Sequence, residues 1–93
     1  MFKKKLLEIW NHFGKKNQID KIREEVEELI EAIESGDVTE IENEFADVQV
    51  LLKQVYVAHN LSLTNINNII DSKVTRTLKC IATGDYEKAR RSV

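Results

Sequence analysis

The sequence predicts an all-α protein, an antiparallel helical bundle of about four helices that forms an oligomer. The chain of 93 residues contains no proline and only three glycines, so few positions interrupt a helix. Charged residues make up 32% of the chain, and apolar residues recur every three or four positions, the spacing of one helix face. At this length we expect a single domain, and we assign it to residues 1–93.

The first two helices are predicted on either side of Gly14. The first ends near that glycine, after an apolar stripe made of Phe2, Leu6, Ile9 and Phe13. The second should begin near Asn17, whose side chain can cap a helix, and end at Gly36, since glycine readily adopts the left-handed conformation that terminates helices. Its inward stripe is predicted to contain Ile19, Ile22, Val26, Leu29, Ile30 and Ile33.

The third helix is predicted to begin immediately after this turn, because Asp37 and Glu40 have the spacing of a capping box. So short a connection makes the second and third helices antiparallel. The main apolar stripe of the third helix contains Val38, Ile41, Phe45, Val48, Leu52 and Val55. Val50, Leu51 and Val57 lie on its other sides, so we expect this helix to be central or to form part of a subunit interface.

The fourth helix is predicted between Asn60, which closes the third, and Gly84. Ser62 can cap it. Its apolar stripe contains Leu63, Ile66, Ile69, Ile70, Val74, Thr77 and Ile81. Residues 85–93 are expected to form a loose tail or a last turn that docks on a partner.

Composition also narrows the class of protein. The formal net charge is −2, but acidic residues dominate positions 24–47 and basic residues gather towards both ends. This zoning suits a protein that binds cations and phosphates, whereas it does not favour binding to nucleic acid. The single cysteine, Cys80, permits no internal disulfide, and no apolar run reaches the length of a membrane span. We therefore expect a cytoplasmic protein that does not associate with membranes.

Two acidic segments, residues 22–29 and 41–48, share the pattern apolar, x, x, Glu, apolar, x, acid, apolar. The acids are Glu25 and Glu28 in the first segment and Glu44 and Asp47 in the second. Residues three apart are neighbours on a helix surface, so each pair lies together at the edge of an apolar stripe. Two such helices packed face to face would bring four carboxylates together, which would repel one another unless a cation joined them. The pattern predicts a divalent metal site with oxygen ligands.

Three further residues suggest contacts to a nucleotide. Lys73 lies close to the apolar stripe of the fourth helix, and Arg76 follows on the same edge, so the two could hold phosphates. A lysine that extends along the helix towards solvent is the structural alternative. Trp10 could stack on a base, although an aromatic residue at helical spacing more often belongs to the core.

The acidic motifs carry a resemblance to a known family. Glu24-Glu25-x-x-Glu28 followed by Glu44-x-x-Asp47 resembles the EExxE and ExxD signature of the all-α nucleoside triphosphate pyrophosphatases, the MazG-like superfamily. The likeness covers roughly residues 18–86. Its final part, Lys73-x-x-Arg76 with Gly84 and Tyr86, looks like the ending of short phage-type members.

The resemblance implies magnesium-dependent hydrolysis of a nucleoside triphosphate to a monophosphate and pyrophosphate, in a homodimer or homotetramer. Mn²⁺ is the alternative ion. The implied metal ligands are Glu25, Glu28, Glu44 and Asp47, and the implied phosphate contacts are Lys73 and Arg76. Glu24 and Glu25 are the expected catalytic residues, because Glu24 lies beside the cluster, where it could accept a proton or orient a ligand.

Two other functions fit parts of the same pattern. A phosphoribosyl-ATP pyrophosphatase has the same fold and similar acidic motifs. A non-enzymatic oligomeric helical module would use the acids only to solvate its surface. Stabilisation by millimolar magnesium would distinguish the enzyme from the module, because only a metal site binds the ion selectively in the folded state.

Overall fold

The protein is described by a computed structural model that covers residues 2–93, apart from the side chain of Phe2. The predicted place of that side chain in the first apolar stripe thus lies outside the described residues. Within them the structure consists of α-helices without β-strands, which confirms the all-α class. The helices are α1 (Phe2–Phe13), α2 (Lys15–Ser35), α3 (Val38–Ala58), α4 (Leu63–Ala82) and α5 (Tyr86–Arg91). They divide into two compact units, the first ending at Asn60 and the second spanning Leu61–Val93.

In the first unit, a tight turn joins α2 to α3 and makes them antiparallel. Gly36 has φ 74°, and its N–H points back to the carbonyls of the last turn of α2, including that of Ala32 at 3.1 Å. Asp37 then caps α3, because its Oδ1 accepts hydrogen bonds from the N–H groups of Thr39 at 2.9 Å and Glu40 at 3.3 Å. The predicted turn and cap are both confirmed.

The interior of the first unit contains polar as well as apolar side chains. Its buried residues are Trp10 on α1, Gln18, Glu25 and Ala32 on α2, and Val48, Leu51 and Gln54 on α3. The buried positions of α2 are seven residues apart, so they lie on one face of that helix. The carboxylate of Glu25 and the amide of Gln18 are therefore buried on the packed face of α2, and the amide of Gln54 is buried on α3.

The predicted N-cap of α2 was wrong. The helix begins at Lys15, and Gly14 alone separates it from α1. Gly14 has φ 86°, a conformation that glycine adopts readily and other residues avoid, and no side chain caps the helix there. Asn17 instead lies inside the first turn, where its Nδ2 donates to the carbonyl of Phe13 at 2.7 Å.

The predicted inward stripe of α2 was also wrong in part. Ile22 and Leu29 are half-buried, but Ile19, Val26, Ile30 and Ile33 are exposed, because the packed face lies one residue away along the helix. The exposed positions of α2 continue onto α3. We define the outer apolar face as Ile19, Val26, Ile33, Val38, Phe45 and Leu52, which are 36–68% exposed in this chain.

The second unit is built from α4 and α5. Ser62 caps α4 as predicted, accepting a hydrogen bond from the N–H of Asn65 at 3.1 Å, and Gly84, with φ 79°, follows its end. Asp85 caps the next helix by accepting from the N–H of Lys88 at 3.0 Å. Residues 85–93 therefore contain a short helix, and its Ala89 is buried.

Much of the predicted stripe of α4 is exposed in this chain. Its exposed apolar members are Leu63, Ile69, Ile70, Val74 and Ile81. None of the helices in the described part of the chain has the combination of length and hydropathy that a bilayer span requires.

Candidate active site

The acids of the two repeated segments meet in the first unit. Carboxylate oxygens of Glu25, Glu44 and Asp47, one from each residue, lie within 4.8 Å of one another. The same holds for Glu24, Glu25 and Glu28, so Glu25 belongs to both groups. We call these five residues the acidic cluster. Its position follows from the antiparallel pairing of α2 and α3, which sets the two acidic segments side by side.

Two oxygens of the cluster are buried without a hydrogen-bond donor. They are Oε2 of Glu25 and Oε2 of Glu44, and they lie on different helices. An unpaired buried carboxylate oxygen costs free energy, because it has lost water without gaining another partner. A cation bound between α2 and α3 would satisfy both atoms.

Lys21 supplies part of the missing positive charge. Its Nζ lies 3.0 Å from Oε1 of Glu25 and 3.6 Å from Oε1 of Glu24. The hydrogen bond to Glu25 raises the pKa of Lys21 and lowers the pKa of Glu25. Glu25 is therefore ionised at neutral pH, with one oxygen paired and the other free.

The pKa of Glu28 is raised, whereas that of Glu25 is lowered. When protonated it can share a hydrogen bond with Glu25, and when ionised it is repelled by that carboxylate and by Glu44. These effects raise the pKa of Glu28 to about 7. Because the folded-state pKa lies above the usual carboxyl value, the contribution of Glu28 to stability is lost as the pH rises from about 4.5 to about 7. A bound cation would oppose that loss.

The chemistry of the cluster fits a hard divalent cation. All five side chains offer carboxylate oxygens, the ligands preferred by Mg²⁺ and Mn²⁺. Oxygens on opposite sides of a magnesium ion are about 4.2 Å apart, so a group within 4.8 Å needs only a small contraction to bind one. The residues present therefore fit the ion, and their assignment as ligands stays a prediction.

A cavity of about 590 Å³ adjoins the acidic cluster within the first unit. Glu25 and Asp47 form one part of its wall. Phe13, Gln18 and Gln54 form other parts. We call it the amide cavity after the side-chain amides of the two glutamines. It is defined by residues of all three helices.

Trp10 does not line the amide cavity. Its ring is buried and meets His59 edge-on, with centroids 5.7 Å apart and an interplanar angle of 77°. Core packing accounts for this position, and base stacking by Trp10 stays a prediction.

The second unit contains a cavity of about 730 Å³ with a strongly basic wall. Lys73 and Arg76, both predicted from the sequence, line it from α4. Lys88 and Arg91 line it from α5, and no acid is among its lining residues. We call it the basic cavity.

Sequence reasoning missed the two residues of α5. Lys88 and Arg91 repeat the Lys-x-x-Arg spacing of Lys73 and Arg76, and that repeat is the signal that could have identified them. The repeat is informative only if this segment is helical, because the spacing places two side chains together only in a helix.

Comparison with known proteins identifies a family. The model of a family described as the MazG nucleotide pyrophosphohydrolase domain matches residues 13–78, more than half of the chain. The matched segment contains the acidic cluster together with Lys73 and Arg76, and it ends before α5. No curated protein and no solved structure matches the chain significantly.

If Glu28 is a metal ligand, its raised pKa predicts that binding of a divalent cation depends on pH. A carboxyl must lose its proton to become a ligand, so we expect the apparent affinity for Mn²⁺ to rise about tenfold between about pH 6 and pH 8. Isothermal titration calorimetry at both pH values would measure this. Glu28→Gln should bind more weakly, with little pH dependence in this range. Equal affinity of the unmodified protein at both pH values would contradict the assignment of Glu28.

Proposed function

This chain belongs to the MazG nucleotide pyrophosphohydrolase family, and we propose on that basis that it is a magnesium-dependent nucleoside triphosphate pyrophosphohydrolase. It would convert a nucleoside triphosphate and water into a nucleoside monophosphate and pyrophosphate. The observation that carries the proposal is the pair of buried, unpartnered oxygens of Glu25 and Glu44 inside the acidic cluster. An acidic surface that served only for solvation would leave such oxygens in contact with water.

The proposed metal ligands are Glu25, Glu28, Glu44 and Asp47, with Mg²⁺ as the ion and Mn²⁺ as a substitute. When bound, the ion supplies charge neutralisation at the phosphates and lowers the pKa of a water molecule. Ligands from two helices suit this task, because the fixed turn at Gly36 and Asp37 sets the register of α2 against α3.

Glu24 and Glu25 are the proposed catalytic residues. Glu24 is exposed and belongs to the cluster, so it can accept a proton from the attacking water. The water oxygen forms a bond to the α-phosphorus, while the bond between that phosphorus and the bridging oxygen breaks and pyrophosphate leaves. Lys21 pairs with Oε1 of Glu25, so Oε2 would remain available to hold the ion.

Lys73 and Arg76 are the proposed phosphate contacts. Their place in the basic cavity supports this, since a cavity wall with four cations and no acid attracts an anion with several charges. Arginine can hold two phosphate oxygens at once, whereas lysine acts as a mobile point charge. Lys88 and Arg91 add to the positive potential.

We also propose that the chain works as a homodimer or homotetramer. The outer apolar face and the exposed apolar residues of α4 support this, because soluble monomers rarely leave large apolar surfaces in contact with water. A second copy of the chain is the simplest cover for these surfaces.

Loss of one ligand should abolish hydrolysis without unfolding the protein. We expect Glu28→Gln and Asp47→Asn each to remove magnesium-dependent release of pyrophosphate, while the thermal midpoint of the metal-free protein stays the same or rises because repulsion falls. Pyrophosphate release from a panel of nucleotides and thermal unfolding would be measured together. Glu27→Gln, an exposed acid of α2 outside the cluster, is the matched control. Normal activity in both ligand variants would overturn the metal assignment.

Lys73 should bind phosphate rather than support packing. Lys73→Met keeps the apolar stem, so we expect unchanged or higher thermal stability. Its kcat/KM should fall by a factor on the order of ten to a thousand, because a charge-assisted contact contributes roughly 1.5–3 kcal/mol. Lys73→Arg should retain part of the activity. Lys79→Met, on the same helix but outside the basic cavity, controls for loss of charge alone. Early melting of Lys73→Met with normal hydrolysis would show a structural role.

Association through the outer apolar face should be visible in solution. We expect light scattering at micromolar concentration to give two or four times the mass of one chain. Phe45→Arg, in the middle of that face, should lower the mass, while Glu42→Arg on an exposed position of the same helix should not. A stable, active monomer of the unmodified protein would refute the oligomer.

A further inference from the structure

We propose that the amide cavity binds the nucleobase of the substrate and that Gln18 and Gln54 recognise the hydrogen-bonding edge of that base. The inference rests on the proposed function, which supplies a nucleotide as the ligand. It assigns the selection of the base to residues outside the acidic cluster.

The location of the amide cavity fits this role. Glu25 and Asp47 belong both to its wall and to the acidic cluster. A nucleotide whose phosphates lie near the cluster can therefore place its uncharged part in the cavity without moving α2 or α3. The volume of about 590 Å³ falls within the roughly 300–1,000 Å³ typical of small-molecule sites.

The walls of the cavity match the faces of a planar ring. Phe13, Val50 and Leu51 present apolar atoms, which suit the faces of a base. The polar groups of Gln18 and Gln54 belong to the same wall and suit its edge. A phosphate group would instead require cations, and Lys21, the cation on this wall, is already paired with Glu25 and Glu24.

The two glutamines form a fixed pair of amides. Nε2 of Gln18 donates to Oε1 of Gln54 at 2.7 Å, and both side chains are buried. Among the described residues this is the one side-chain hydrogen bond that either of them makes. Mutual bonding and burial restrict the rotamers of both residues, so their remaining polar groups keep a constant position.

Counting donors and acceptors shows what the pair can recognise. Each amide carries one carbonyl acceptor and one amino donor group, and the bond between them uses one of each. Gln18 keeps a free carbonyl and Gln54 a free amino group. Exchanging the orientation of both amides moves these groups from one residue to the other but still leaves a free carbonyl on one glutamine and a free amino group on its partner.

A donor beside an acceptor is complementary to the pairing edge of a nucleobase. Phosphate oxygens only accept, so they would leave the free carbonyl unpaired. Stability alone does not account for the pair, because replacing two bonded polar residues by apolar ones of similar shape can be nearly neutral for stability. The expected ligand class is a nucleotide whose base carries an unmodified pairing edge.

Binding of nucleoside monophosphates without divalent metal tests the subsite separately from hydrolysis. Calorimetry would compare AMP, CMP, GMP and UMP, each with a monophosphate counterpart whose base is blocked at the pairing edge but stays uncharged. The counterparts carry N6,N6-dimethyladenine, N4,N4-dimethylcytosine, N1-methylguanine and N3-methyluracil. We expect the best-bound monophosphate to bind at least about tenfold more tightly than its blocked counterpart. Equal binding within every pair would overturn the base subsite.

The double variant Gln18→Leu/Gln54→Leu identifies the residues responsible. It removes both partners together, so the protein should keep its thermal midpoint and lose the preference for the unblocked base. Gln49→Leu, another glutamine of α3 that does not line the cavity, should keep the preference. A folded double variant that retained the preference would overturn the role of the amides.

Failure of this inference differs from failure of the proposed function. If the unmodified protein hydrolyses nucleotides but does not distinguish blocked from unblocked bases, only the base subsite is wrong. If it binds monophosphates with the expected preference but releases no pyrophosphate from any triphosphate, the proposed reaction is wrong. The comparison of blocked and unblocked bases uses the unmodified protein, so it stands even if the double variant does not fold.

Discussion

Repulsion among carboxylates at the junction of α2 and α3 is the constraint on which the rest of the first unit depends. Five acids gather there, and the protein offsets their charge only in part, through Lys21 and through the proton that Glu28 retains near neutral pH. Part of the negative charge is left uncompensated, and it includes the buried oxygens of Glu25 and Glu44 that have no hydrogen-bond partner. Such an arrangement costs folding free energy, so it persists only if other contacts hold the two helices together. The cost is consistent with a site prepared for a cation.

Buried apolar residues such as Ala32, Val48 and Leu51 supply those contacts, and two polar features at the ends of the helix pair determine its register. At one end Gly36 and the Asp37 cap fix the turn, and at the other the amides of Gln18 and Gln54 join α2 to α3. A slip of α3 along α2 by one residue would break the amide bond and separate Glu25 from its neighbours on α3. The turn and the amide pair therefore determine the register, and the acids of the cluster between them are held in place by it.

The sequence indicated the acidic cluster because spacing along a helix is a local property, and it indicated the turn because Gly36 and Asp37 act on adjacent backbone. It misplaced the buried face of α2, where Gln18 and Glu25 lie inside while Ile19 and Val26 are exposed. A pattern of apolar residues cannot show that polar groups are buried when their partners come from a distant segment, as Gln54 does. The prediction of the residues that line the basic cavity was incomplete for a similar reason. The helix α5 is stabilised by the Asp85 cap and by packing of its buried Ala89, and a pattern of apolar residues reveals neither.

Gly14 lies between a residue that lines the amide cavity, Phe13, and the helices that carry the acidic cluster. Its φ of 86° sets the angle between α1 and α2, and with it the position of Phe13 on the wall of the amide cavity. Open space surrounds the site of a Cβ there, so a side chain would be opposed only by the backbone. The acids lie on α2 and α3, beyond this joint. Drift at a single residue would thus change the shape of the amide cavity over evolutionary time while the acids of the proposed metal site stay untouched.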